Sequence, residues 1–306
     1  MRYSAQTFAY LKRNFWLPIL VMAVPSVAAC FLLYPYSEVA FITLFDYDPF
    51  LSASKTFAIL FGGSWHIVWK LFLVCGLQIL AVSLLVSAVD RHFRTGKLSL
   101  DTPARLWNYS LIPVILSMLM VFAAAIAERF ILLGLVMLVQ VIFMSAHFGA
   151  VAALVVIAVI AVALFVFHVI ITAPMLYWAP LMFVYGYRLR DAAASSFKIL
   201  SGQKAGRGIV IPLCICAAIQ VITGFFNPYA AVTYAVNFIL FLFTDTYVTV
   251  YVILSFYNIC KLERRDVLPY ENIPLPMPKK DKKSSKAANA TSAERADKTG
   301  EDGDVG

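Results

Sequence analysis

The side chains of this chain that are most able to do chemistry are a few polar groups inside long apolar runs. Asp245 is the clearest, because it lies in the middle of such a run with Thr244 and Thr246 beside it. An ionisable group in hydrocarbon costs at least about 2.5 kcal/mol, so Asp245 must face protein or water. The other members of this candidate polar site are His168, Gln78, Gln220 and Asn237.

Two roles are open to these polar side chains. An acid with a histidine and amide partners could relay a proton or a cation through a transporter. Alternatively, the same groups hydrogen-bond across helices, or Asp245 caps the second half of a helix that is broken there. The structural roles are the more common ones for such groups.

The sequence carries no recognisable enzymatic signature. It has no glycine loop that could cradle phosphate, no His-Glu pair at helical metal spacing, and no exposed Ser or Cys beside a plausible base. The five cysteines lie almost entirely in apolar runs without an accompanying His cluster, which argues against a zinc site or a disulfide framework. We therefore expect no catalysis, no metal and no cofactor.

Composition places these residues in a membrane. Of the 306 residues, 61% are hydrophobic and only 14% are charged, with a mean hydropathy of +0.81. A soluble domain is nearer half apolar and a quarter charged, and a spanning helix needs roughly 20 apolar residues. The sequence predicts an all-α transmembrane bundle over residues 1–268. Its six predicted spans are 15–35, 66–89, 109–127, 150–176, 209–226 and 230–258.

One further apolar stretch, Phe130 to Phe148, does not fit a count of six. We predict that it forms a re-entrant or interfacial outer helix entered at Glu128-Arg129. The alternative is a true span, which would reverse the orientation of everything that follows it.

Lysines and arginines beside the predicted spans indicate the orientation, because cytoplasmic segments retain them. They cluster in the N-terminal arm and in the segments 91–105 and 188–207, whereas the segment 36–65 contains Lys55 alone. This pattern predicts a multi-pass plasma membrane protein with both termini in the cytoplasm.

Three prolines in similar settings suggest an internal repeat. They lie in Leu17-Pro18-Ile19, Ile112-Pro113-Val114 and Ile211-Pro212-Leu213, each at the predicted start of an odd-numbered span. A proline in the first helical turn loses little, because the first amides lack intrahelical partners. The hypothesis is three parallel two-helix hairpins; the alternative is that prolines simply favour helix starts.

The segment after the fourth predicted span reads as an interfacial elbow helix. Leu189, Ala193, Phe197 and Leu200 recur at helical spacing on one face, and Gly202 is placed to end the helix. Such a helix should lie in the plane of the membrane interface. The alternative is a docking site for a soluble partner.

The last segment, 269–306, changes to Pro, Lys, Ser, Ala and acidic residues. It cannot bury enough apolar surface to offset its ordering entropy, so we predict a disordered cytoplasmic tail. Its cluster Lys279, Lys280, Lys282 and Lys283 could contact anionic lipid, and the alternative is a solvated tail. The lipid bilayer is the expected partner, and nucleic acid is not.

Several motifs of the second half resemble a known family. They are Pro180-Leu181-Met182-Phe183-Val184, Asp191-Ala192-Ala193, Ser195-Ser196-Phe197, Leu200-Ser201-Gly202 and Ser255-Phe256-Tyr257-Asn258. Together they resemble the membrane domain attached to some bacterial glycerophosphodiester phosphodiesterases, and related uncharacterised six-span bacterial proteins. The resemblance implies this architecture and a bacterial plasma membrane. It does not imply hydrolysis, because this sequence has no counterpart of the barrel that carries the metal-binding carboxylates.

The sequence therefore favours a non-enzymatic bacterial membrane protein that acts as a scaffold, regulator or assembly factor for an unknown protein partner. The alternative is a small transporter or permease subunit that works through the polar residues around Asp245.

Overall fold

The computed structural model describes residues 2–32, 65–98, 103–145, 150–203, 205–225 and 230–266, and these residues are mainly helical. The helices are α1 (Arg2–Asn14), α2 (Trp16–Leu32), α3 (Trp65–Thr95), α4 (Pro103–Ser145), α5 (Ala150–Leu176), α6 (Trp178–Tyr185), α7 (Leu189–Gln203), α8 (Arg207–Phe225) and α9 (Ala230–Ile259). The predicted all-α class is confirmed. The predicted tail 269–306, with its cluster Lys279, Lys280, Lys282 and Lys283, lies outside the described residues.

Several of these helices can cross a membrane. The described residues hold 4 helical segments that are long and apolar enough, or 5 if one bent helix pair counts as a single span. The four are Trp69–Thr95, Ser110–Phe143, Val155–Tyr185 and Ala231–Ile259. This set indicates a multi-pass membrane protein.

The predicted count of six spans is not reached in this part of the chain. The fifth predicted span, 209–226, falls on α8, in which Arg207–Gln220 is one of the shorter apolar helices. The first, 15–35, falls on α2 up to Leu32, where the described residues end, and α2 passes as a span only together with α1, from which it is bent by 96°.

The helix α1 meets α2 at a sharp elbow, with an angle of 96° between the two axes. Residue Phe15 separates the helices, and Pro18 lies just inside α2, where its missing amide costs little. The polar α1 ends in Lys12 and Arg13, whereas the segment Trp16–Leu32 has no charged residue. The elbow therefore joins a basic amphipathic helix to an apolar one.

The helix α4 corrects the prediction for the third span and the stretch after it. It runs without a break for 43 residues, so the predicted span 109–127 and most of Phe130 to Phe148 belong to one helix. No helix boundary occurs at Glu128-Arg129, where an interfacial segment was expected to begin. The separate re-entrant helix is therefore wrong for the described residues up to Ser145.

Two contacts explain why the helix continues. Beyond Glu128, α4 packs against α5 through a small apolar cluster of Val136, Val139, Ala153 and Ile157. Glu128 itself pairs with a histidine of α5, so this acid does not have to leave the bundle. We call the pair formed by the second half of α4 and the first half of α5 the outer hairpin.

The main core forms where α9 packs against α1, α2, α3 and α8. Fully buried tyrosines of α9 dominate it, together with Phe93 of α3 and Tyr177 between α5 and α6. Tyr251 donates its hydroxyl hydrogen to the carbonyl of Ala205 at 2.7 Å, and Tyr247 donates to the carbonyl of Gly208 at 3.1 Å. These bonds fix the start of α8 against α9.

Only one of the three prolines of the predicted repeat lies close to the start of a helix. Pro18 lies near the start of α2, whereas Pro113 and Pro212 lie inside α4 and α8. The helix α4 begins before Pro113, so this proline does not open its helix. The three parallel two-helix hairpins stay a prediction.

Candidate functional site

A cavity of about 410 Å³ lies inside the helical bundle. Side chains of α3, α4, α5, α8 and α9 line it, together with Ala179 and Pro180 of α6. Three of the five predicted polar residues face this one space, namely Gln78, His168 and Asp245. The structure therefore brings together residues that are 77 to 167 positions apart in the chain.

Asp245 contributes a carboxylate to the cavity wall. The Gln78 side chain donates an N–H from Nε2 to Asp245 Oδ1 at 2.9 Å, which ties α3 to α9. The helix α9 runs through Asp245 without interruption over 30 residues. The alternative in which Asp245 caps a broken sixth helix is therefore wrong.

His168 is held by a partner that the sequence did not reveal. Its Nδ1 lies 3.2 Å from Glu128 Oε2, and both side chains are partly exposed, at 17% and 22%. The Thr172 hydroxyl donates to the His168 carbonyl at 2.9 Å one turn later. An acid and a histidine inside two adjacent apolar runs are the signal that could have suggested this pair.

The rest of the cavity wall is mainly aliphatic. Val74, Val114, Val248 and Leu213 are typical of its lining, while Ser117 uses its hydroxyl on the Met175 carbonyl at 2.6 Å. A space with apolar walls and one carboxylate suits a small, largely apolar molecule with a cationic or hydrogen-donating group. Binding of this kind needs no nucleophile.

Gln220 and Asn237 do not belong to the cavity lining. Gln220 is half-buried on α8. Asn237 is fully buried on α9, and neither end of its amide has a hydrogen-bond partner within the described ranges. The predicted five-residue site therefore divides into a cavity group of three and two separate polar residues.

A second polar cluster, at the ends of α3 and α9, was not predicted. The buried Asp90 accepts a hydrogen bond from Tyr257 Oη at 2.5 Å and pairs with Arg94 Nε at 3.0 Å. Nearby, Tyr10 Oη and His92 Nδ1 lie 2.8 Å apart. A short Asp-Arg-His-Phe-Arg run at the end of an apolar stretch is the sequence signal for this cluster.

The segment after α9 closes over the same cluster. Arg264 places its guanidinium 4.4 Å from the centre of the Phe93 ring and also pairs with Asp266. The backbone amide of Arg265 donates to the carbonyl of Phe93 at 2.8 Å. These contacts attach the chain beyond α9 to the end of α3.

No group of three or more His, Cys, Asp or Glu side chains that could hold a metal ion occurs among the residues described. Asp245 pairs with the amide of Gln78, and His168 pairs with Glu128, so neither pair alone supplies the three or four ligands of a metal site. Comparison with protein-family models, curated proteins and solved structures gives no match to this chain.

The residues of the predicted interfacial helix after the fourth span, Leu189, Phe197 and Leu200, all lie on α7, but they do not share one environment. Leu189 and Leu200 pack against the main core, whereas Phe197 is 54% exposed. The face of α7 that is turned to the protein carries Ala192 and Ser196, and the Ser196 hydroxyl accepts a hydrogen bond from Trp178 Nε1 at 2.9 Å. Of the predicted face, Leu189, Ala193 and Leu200 therefore contact the core, and Phe197 does not.

Proposed function

We propose that this chain is a small transporter or permease subunit that binds a largely apolar organic cation in the cavity between α3, α5 and α9. The observation that carries the proposal is the convergence of Gln78, His168 and Asp245 on one space of about 410 Å³. A carboxylate in an apolar wall attracts a cation more strongly than the same group in water, because the local dielectric is low.

The membrane placement proposed with this function follows the distribution of cations. Both termini lie on the cytoplasmic side of a bacterial plasma membrane, and α7 lies at the cytoplasmic interface of that membrane. The support is the basic character of α1 and of the segments that follow α3 and α6, together with the even number of predicted spans, two, between each of these segments and the next.

Ethidium uptake into DNA-loaded proteoliposomes tests this proposal, because ethidium is an apolar cation that fluoresces on binding DNA. The native chain is expected to raise uptake above protein-free vesicles. Asp245→Asn keeps the hydrogen bond with Gln78 possible but removes the charge, so the initial rate should fall by roughly tenfold or more, equivalent to about 1.4 kcal/mol. The matched control is Asp191→Asn, an exposed acid on α7.

The results separate the possible outcomes. Uptake by the native chain and Asp191→Asn, but not by Asp245→Asn, supports the proposal. Equal uptake by all three contradicts a role for the cavity carboxylate.

A second candidate is the non-enzymatic scaffold, regulator or assembly factor. The large exposed fraction of Phe197 on the outer side of α7 favours it, since an exposed aromatic on an interfacial helix can contact a partner protein. If the native chain gives no ethidium uptake above protein-free vesicles, this candidate takes precedence.

A further inference from the structure

A second apolar space lies outside the bundle core, in the angle between α1 and α2 and against α9. This elbow groove has a volume of about 420 Å³. Aromatic side chains from both sides form its walls and stay partly open to the surroundings, with Phe8 at 49%, Phe15 at 41% and Phe243 at 37% exposure. The groove is therefore an apolar surface that stays partly exposed among the described residues.

The groove is bordered by positive charge. Lys12 is one of its lining residues, and Arg13 follows it in the last turn of α1. Both side chains are exposed, and no Asp or Glu occurs among the lining residues that the structure describes. An occupant with apolar chains and an anionic head would satisfy both features.

The wall of the groove on α9 includes Thr246. This residue is only 5% exposed, and its hydroxyl has no hydrogen-bond partner in the described part of the chain. A buried hydroxyl without a partner is costly, whereas an ester carbonyl next to it would accept its hydrogen.

We infer that the elbow groove binds an anionic glycerophospholipid. Its acyl chains lie on Phe8, Phe15 and Phe243, and its phosphate lies beside Lys12 and Arg13. An ester carbonyl accepts the hydrogen of Thr246. The site is separate from the cavity, because Asp245 and Thr246 are neighbours on α9 that line two different spaces.

Native mass spectrometry of the delipidated full chain tests the site. Phosphatidylglycerol and phosphatidylcholine with identical acyl chains are titrated separately, and the bound fractions are compared. Phosphatidylglycerol is expected to bind at least fivefold more tightly. Lys12→Gln should lower that preference by about fivefold, which corresponds to about 1 kcal/mol for one cation near the surface.

Two further variants complete the design. Lys97→Gln removes an exposed cation that does not line the groove, and it should leave the preference unchanged. Ile239→Trp, at a lining position that is 61% exposed, fills the groove and should weaken binding of both lipids. All three positions are exposed, so these variants are expected to fold.

Three results would overturn the site. The first is equal binding of the two lipids by the native chain. The second is an equal loss of preference in Lys97→Gln and Lys12→Gln, which would indicate general surface charge. The third is unchanged phosphatidylglycerol binding by Ile239→Trp.

Discussion

At the scale of single residues, Asp90 and Asp245, two acids of apolar helices, differ in the number of their hydrogen-bond partners. Asp90 is almost completely buried and has both a tyrosine hydroxyl and a guanidinium as partners. Asp245 has one amide partner among the described residues and borders a cavity. A fully partnered acid stabilises a fold, whereas a partly partnered acid beside a cavity is free to interact with a ligand.

The first prediction concerns the partner of Asp90. Tyr257→Phe removes the hydroxyl that donates to this buried carboxylate and leaves Arg94 in place. A buried acceptor that loses a donor costs about 1–3 kcal/mol, so the thermal unfolding midpoint in detergent should fall. Tyr187→Phe is the control, because Tyr187 is 41% exposed. Equal midpoints for the two variants would contradict the role of this hydrogen bond.

The sequence was informative about residue types but not about their neighbours. Asp245, His168 and Gln78 stand out because a polar group inside an apolar run is conspicuous without any structure. Asn237 and Gln220 stand out for the same reason, yet helix rotation directs them elsewhere. The sequence predicts a helix boundary at Glu128, because it does not reveal that Glu128 has a partner inside the bundle. That partner, His168, belongs to another helix and lies 40 positions later in the chain.

At the scale of helices, one tight contact between α8 and α9 depends on the absence of a side chain at Gly208. A Cβ atom added at Gly208 would overlap the ring and hydroxyl of Tyr251, while the Tyr247 hydroxyl donates to the Gly208 carbonyl. Small residues permit such approaches between membrane helices, where packing and hydrogen bonds replace the hydrophobic effect as the driving force.

The second prediction follows from the contact between Gly208 and Tyr251. Gly208→Ala should force α8 away from α9 and lower the thermal midpoint in detergent by several degrees, since the overlap involves the rigid ring of Tyr251. Gly134→Ala is the matched control, because an added Cβ there meets nothing within 4 Å. That control should be neutral or slightly stabilising through helix propensity. Identical behaviour of the two alanine variants would argue against a tight α8–α9 contact.

The helix pattern was largely readable from hydropathy, but its boundaries were not. The predicted bounds 150–176 coincide with α5, because no Asp, Glu, Lys or Arg interrupts that run. The predicted second span ended at 89, whereas α3 continues through Asp90, His92 and Arg94. Charged residues usually mark the end of a span, and here their partners on α1 and α9 allow the helix to continue.

At the scale of the whole molecule, the continuous α4 bears on topology. About 20 residues cross the hydrocarbon, so a helix segment of 34 residues such as Ser110–Phe143 either tilts or projects beyond it. With a cytoplasmic start, one crossing by α4 and one return by α5 and α6 bring α7 back to the cytoplasmic side. The proposed orientation therefore requires only one crossing between residues 110 and 145.

The last prediction tests this orientation by cysteine labelling with a membrane-impermeant maleimide. Val141→Cys, at a position 63% exposed near the end of α4, should be labelled in intact cells. Lys198→Cys on α7 should be labelled only after permeabilisation. The native chain is the background control, and burial raises the pKa of the Cys260 thiol, which slows its reaction. The opposite labelling pattern would reverse the topology.

The outer hairpin has a consequence for local stability. Its own buried core consists of Val136, Val139, Ala153 and Ile157, apart from the large cluster around α9. Because the described part of this core is small, we expect the outer hairpin to open at a lower free energy than the rest of the fold, as a separate cooperative segment. The Glu128–His168 pair lies between this hairpin and the cavity. Local opening of the hairpin is therefore expected to separate Glu128 from His168 first, so that this pair would couple the outer hairpin to the cavity wall.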